Sequence, residues 1–220
     1  MKKQIMKKEL KLCLYGQSLV FAIIGGLCVI IPSWPITVAF IYALSGISVI
    51  FPRALANRDI EYSLILPIKK SDVVFGKLFI GLFIELLALA IGAVCAVLKL
   101  YIFNISPAEG EETYNAIIAP NFSVFGLVLL AFSLHNLILY PWYYKDPLKK
   151  LTAPQLVSLF GTMFLLGGAQ AGSCFVNLIP DPTIKLITDL SIFAAGIVIS
   201  IILTWITYIL SAKNFEKVSI

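Results

Sequence analysis

The sequence predicts an all-α integral membrane protein with six transmembrane helices and both termini in the cytosol. Three observations lead there. Of 220 residues, 60% are hydrophobic and 13% charged, with a mean hydropathy of +0.95. A soluble domain carries about 45–50% apolar and about 25% charged residues. The apolar residues gather into six runs separated by turn-forming or charged segments. When those runs are threaded across a bilayer in alternation, the basic residues fall almost entirely on one side. The formal net charge of +5 therefore reports orientation in a membrane and does not point to nucleic acid.

The chain reads as one transmembrane domain over 1–220, beginning with a segment, 1–14, that opens MKKQIMKKELKL. On a helix, Ile5, Met6, Leu10 and Leu12 share one face and Lys3, Lys7, Lys8 and Lys11 the other, with Glu9 intruding on the apolar side. That pattern fits an amphipathic helix on an anionic leaflet; a basic flank that only orients the first span fits equally. No small-residue cleavage site follows early, so the segment is not read as a removable signal.

The first two runs, Ser18 to Ile31 and Ile36 to Phe51, are split by Pro-Ser-Trp-Pro at Pro32 to Pro35 and make helices 1 and 2 within 15–52. Each needs its uncharged flanks to approach the ~20 residues of a span. A polar stretch, 53–77, follows. Helices 3 to 6 and a short tail occupy 78–220, with runs at Leu78 to Leu98, Phe122 to Tyr140, Leu156 to Ile179 and Leu190 to Leu210. Lys77 and Lys99 flank the third run and stand about 33 Å apart on a helix, close to one hydrocarbon thickness. Six crossings leave only Lys99 and Lys185 outside, out of 17 basic residues. This is the asymmetry produced when Lys and Arg stay cytoplasmic. Trp34, Tyr101 and the Tyr140-Pro-Trp-Tyr-Tyr segment supply amphipathic rings at run ends, where headgroups lie.

The stretch from Arg53 to Lys77 organises the rest. Arg53, Arg58, Lys69, Lys70 and Lys77 with Asp59, Glu61 and Asp72 exclude it from hydrocarbon, since each central charge costs about 2.5–3.5 kcal/mol on insertion scales. Ile60, Leu64 and Ile65 fall at i, i+4 and i+5, which predicts a short amphipathic helix over Asp59 to Leu66. Pro67 stops it, and Ser71-Asp72 can cap the next helix. A short helix of this kind, in the cytosol between two spans, offers Ile60, Leu64 and Ile65 as an apolar contact and Asp59 and Glu61 to basic groups of a partner.

Little else carries chemistry. No GxxxxGK[ST] loop is present to cradle phosphates. Cys13, Cys28, Cys95 and Cys174 form no CxxC pair and read as small hydrophobes; no metal site or catalytic residue is assigned. His135 is the one histidine and reads as a packing or hydrogen-bonding residue. Glu85 lies about 12 Å into the third span. A carboxyl at that depth needs a partner, a cavity or water, so it either lines a translocation or proton path or is hydrogen-bonded within the bundle. Gln170, in the middle of the fifth span, poses the same choice. Around it, Gly168-Ala-Gln-Ala-Gly172 is a GxxxG pattern; close helix packing fits it better than a hinge.

The segment Glu61-Tyr-Ser-Leu-Ile-Leu-Pro67-Ile-Lys-Lys-Ser-Asp-Val-Val-Phe-Gly-Lys77 resembles the signature of ABC-2-type permease subunits. That signature has an acidic residue, a Leu-rich turn, Pro, a polar or basic pair, then small apolar residues and a Lys opening the third helix. Leu139-Tyr-Pro-Trp-Tyr-Tyr-Lys145 is similar to the family's Pro-aromatic-basic exit, with Asp146-Pro147 in place of the glycine that usually follows. The resemblance implies a half-transporter that dimerises with itself or a close paralogue in a bacterial plasma membrane. It implies coupling to a separate cytosolic ATPase, which binds the ATP, through a short helix and its exit, with Asp59, Ile60, Glu61, Leu64, Ile65, Pro67 and Lys69 as the coupling residues. The chain itself needs no cofactor on this reading. Its short six-helix form resembles permeases that export phenol-soluble modulins and other antimicrobial peptides, and drug exporters look alike at this level. Two other classes stay open on the residues alone: a proton-coupled secondary carrier using Glu85, and an immunity or structural membrane protein that transports nothing.

Overall fold

The computed structural model describes residue 8 and residues 16–65, 68–103, 116–147 and 152–218 of the 220-residue chain. Every described element is a helix. α1, Gly16–Leu27, continues as one 3-10 turn at Cys28–Ile30. The others are α2, Ile36–Ala56; α3, Asp59–Ile65; α4, Lys70–Phe103; α5, Phe122–Lys145; α6, Thr152–Asn177; and α7, Pro182–Glu216. Five of them, α2, α4, α5, α6 and α7, are long and apolar enough to cross a membrane. Of the six predicted spans, the first is thus the short one. The amphipathic helix predicted over 1–14 lies outside the described residues apart from Lys8.

Helix ends show how the sequence sets these boundaries. Pro35 precedes α2, and Pro182 opens α7, where its missing N–H removes nothing the helix uses. The Asp181 carboxylate caps α7, accepting from the N–H groups of Thr183 at 2.8 Å and Ile184 at 3.1 Å. α5 is capped from two directions. Asn121 accepts from Val124 N–H at 3.0 Å, and Asp189, reaching over from α7, accepts from Phe122 N–H at 3.0 Å and Ser123 N–H at 2.6 Å. Three donors that the first turn leaves unpaired are thereby satisfied.

α5 is the central helix. It packs most extensively on α7, then on α6, while α1 and α2 pair with each other and lie against α4. α5 and α7 meet where Gly126 faces Gly196: a Cβ on Gly196 would strike the Gly126 carbonyl oxygen, and one on Gly126 would lie 2.7 Å from the Phe193 Cα. Within a bilayer no hydrophobic effect drives helices together, so such close approach, with its van der Waals contact, is the adhesive force. At one end of the bundle an aromatic cluster closes the core. Phe51 stands edge-on to Tyr140 and Tyr143, each at 4.9 Å between ring centroids, and Tyr144 packs on Tyr143 and Phe215.

α4 corrects two expectations. The sequence predicts Lys77 and Lys99 as charges flanking a span from Leu78 to Leu98. Instead one helix of 34 residues runs through both, and both side chains are fully buried. Each has found a protein partner, Asp59 for Lys77 and the Trp34 carbonyl for Lys99 at 3.0 Å. The helix also starts at Lys70, so Ser71 and Asp72 lie in its first turn and do not cap it; Asp72 N–H bonds to the Lys69 carbonyl.

Candidate coupling site

The polar stretch folds from the end of α2 outward. α2 stops at Ala56, where Asn57 N–H returns to the Arg53 carbonyl at 2.9 Å. Arg58 then takes φ 51°, in the left-handed region, which reverses the chain at once. Its carbonyl accepts from Tyr62 N–H at 3.0 Å and so begins α3. α3 is short and can hold its place only through tertiary contacts.

Those contacts centre on Asp59. Its carboxylate is fully buried and is paired with Lys77 of α4 at 2.6 Å and with Lys8 of the N-terminal segment at 2.8 Å. Lys8 also donates to the Ser63 hydroxyl at 2.5 Å, and that hydroxyl donates to the Asp59 carbonyl at 2.6 Å. Lys77 Nζ lies 5.9 Å from the centre of the Tyr143 ring, whose π face further accommodates the cation. Tyr140 donates to the Lys77 carbonyl at 3.2 Å. Burial alone would push the Asp59 carboxyl up, but the charges and hydrogen bonds of Lys77 and Lys8 outweigh it and hold the group below its ordinary value.

The faces of α3 differ from the expectation. Ile60 is buried and Leu64 is packed against the bundle core, so the apolar face is turned inward; Asp59, expected to be open to a partner, is occupied by the two lysines. Surface is offered by Tyr62, 52% exposed, and Ile65, 83% exposed, with Glu61 beside them ion-paired at 3.9 Å to Arg58. Lys69 is exposed, and Pro67 lies outside the described residues.

The intramembrane candidates are placed as follows. Glu85 is buried between α4 and α5, and its carboxyl accepts from the Asn136 side-chain amide at 2.7 Å. Gln170 bridges two elements: its Oε1 accepts from Thr37 Oγ1 at 3.0 Å, and its Nε2 donates to the Ile117 carbonyl at 2.5 Å. Gly168 faces open space, whereas a Cβ on Gly172 would lie 3.3 Å from Leu127. His135 Nδ1 stands 3.3 Å from the Thr162 hydroxyl, which also lies 2.6 Å from the Ser158 carbonyl. Sequence reasoning missed Asn136 and the pairing role of Lys77 and Lys8. An Asn inside an apolar run was a visible signal; a partner 18 residues away was not.

Five helices long and apolar enough to cross a membrane define a multi-pass α-helical membrane protein. Among the described residues no group of His, Cys, Asp or Glu could hold a metal ion. Residues 4–216 match the family model described as ABC-2 family transporter protein, and the chain belongs to that family as a membrane-embedded transporter component. No curated protein and no solved structure matches the chain.

Proposed function

We propose that the chain is the membrane-spanning subunit of an ATP-driven exporter in a bacterial plasma membrane. It crosses six times with both ends cytoplasmic, pairs with a second permease chain, and is worked by a separate ATPase that docks on α3. The observation that carries this reading is the short helix itself. Its inner side is rooted in the bundle by Asp59 and Ile60, and its outer side presents Tyr62 and Ile65. Membership of the ABC-2 family supports a partner that supplies the energy. The cargo is an amphipathic or antimicrobial peptide or a drug-like molecule. Support comes from the family resemblance and from an apolar groove of about 490 Å³ between α4, α5 and α7, lined by Leu86, Ala90, Ala93, Phe122 and Phe125 among others. Enclosure of Glu85 by Asn136 favours a packing role for that carboxyl over a proton path.

Replacing Tyr62 and Ile65 together by Asp tests the docking face without touching Leu64, which packs on the chain's own core. Each buried contact of this kind is worth about 2 kcal/mol or more, so vanadate-sensitive ATP hydrolysis should no longer co-purify with the inserted permease. Undiminished co-purification by the double variant would exclude α3 as the contact.

A further inference from the structure

We propose that Asp59 is a positioning residue that makes α3, Lys8 and the Lys77 end of α4 one mechanical piece. The inference rests on the reading of α3 as the ATPase contact.

α3 is joined to α4 covalently only at its far end, through residues 66–69. At its near end α3 follows α2 through Asn57 and Arg58, and the apolar packing of Ile60 and Leu64 can slide, so without a second fixed tie to α4 a push on Ile65 would move α3 against that helix. Asp59 sits at the opposite end of the helix and is pinned to Lys77, seven residues inside α4. Pinned at both ends, α3 cannot rotate without carrying α4 with it. Lys8 meets the same carboxylate and, through the Ser63 hydroxyl, the next turn of α3.

The chemistry suits a link more than a filler. Two apolar side chains could occupy this volume at equal or better stability, because desolvating an ion pair offsets most of its attraction. Apolar neighbours, however, slide past one another at little cost. A carboxylate and an ammonium 2.6 Å apart, both fully buried, cannot separate without giving up a close charge–charge contact where water does not replace it. The ion pair is therefore stiff along the direction in which force must pass.

Two measurements on the complex of permease and ATPase test this. Spin labels at Asn57 and Phe79 of the otherwise unaltered chain, one just before α3 and one on α4, should keep the same separation in the nucleotide-free and vanadate-trapped states. A changed separation would overturn the proposal. Labels at Tyr101 of α4 and Ile187 of α7, both exposed, should shift on trapping in the wild type. In the double variant Asp59→Leu, Lys77→Met, which leaves neither member of the pair charged, the shift should vanish while the ATPase stays bound and trapped. A variant that shifts like the wild type would refute the link. Failure of the underlying reading shows up separately, as a Tyr62→Asp, Ile65→Asp protein that retains the ATPase.

Discussion

The side-chain amide of Gln155 on α6 donates to the carbonyl oxygen of Ser48 on α2 at 2.9 Å. That carbonyl is the one Pro52, inside α2, leaves without its helical donor. The bond is thus a tertiary repair of a local defect, and it fixes α6 against α2. Gln155→Leu should cost about 1–3 kcal/mol, the price of an unsatisfied half-buried acceptor. Combined with Pro52→Ala, which restores the helix's own N–H, the loss should shrink. A denaturation double-mutant cycle that shows additive effects would refute the repair.

Glycines on α5, α6 and α7 separate by neighbour. Gly196→Ala places a methyl against the backbone of Gly126, which cannot yield, and should destabilise by about 1–3 kcal/mol or more. Gly168→Ala meets nothing within this chain, so it should be neutral or raise stability by up to about 1 kcal/mol through helix propensity. Thermal denaturation of the two variants in the same detergent checks the contrast. If Gly168→Leu lowers the fraction of paired chains while leaving each chain's stability intact, the GxxxG face lies between subunits.

The Glu85–Asn136 bond gives a third test. Asn136→Leu strips the carboxyl of its amide donor and should cost about 1–3 kcal/mol. Glu85→Gln keeps an acceptor in place for the Asn136 amide and should cost less than Asn136→Leu. ATP-dependent export that survives Glu85→Gln fits the packing role, and its loss without loss of stability would reinstate a path through this residue.

Asp59 predicts a pH dependence. Its carboxyl is held below the ordinary value of 3.8, so the native state binds the proton less readily than the unfolded one. The stabilisation is fully present above 3.8 and disappears as the pH falls through the lower native value. Wild type and Asp59→Asn should therefore differ in stability by a constant amount from neutral pH down to about 4, and converge only in stronger acid. Convergence already near pH 6 would mean that the lysines do not hold the carboxylate.

The helices were legible because hydrocarbon demands long apolar runs, and five such runs became helices of spanning length. Their ends were less legible. Lys77 and Lys99 look like boundary charges in one dimension, yet lie inside the bundle because Asp59 and the Trp34 carbonyl, 18 and 65 residues away, reach them. The periodicity of α3 was visible, but not its direction: Ile60 and Leu64 turn to the nearest apolar surface, which is the chain's own. The GxxxG spacing at Gly168 was readable along one helix. The contact between Gly126 and Gly196 joins single glycines on two helices, and no spacing within either run announces it.

α4 contains no proline among its 34 residues, so nothing in its sequence forces a kink. A continuous helix of 34 residues, about 51 Å long, can act as a lever. If Glu85, held by Asn136, serves as the fulcrum, the arm to Lys77 is about 12 Å and the arm to Phe103 about 27 Å. A displacement at Lys77 would then return at Phe103 reversed in sense and roughly doubled, so closing at one end would open the other. The spacing of three residues would set that gain, and a helical turn inserted between Lys77 and Glu85 would alter the amplitude of the stroke as well as the helix register.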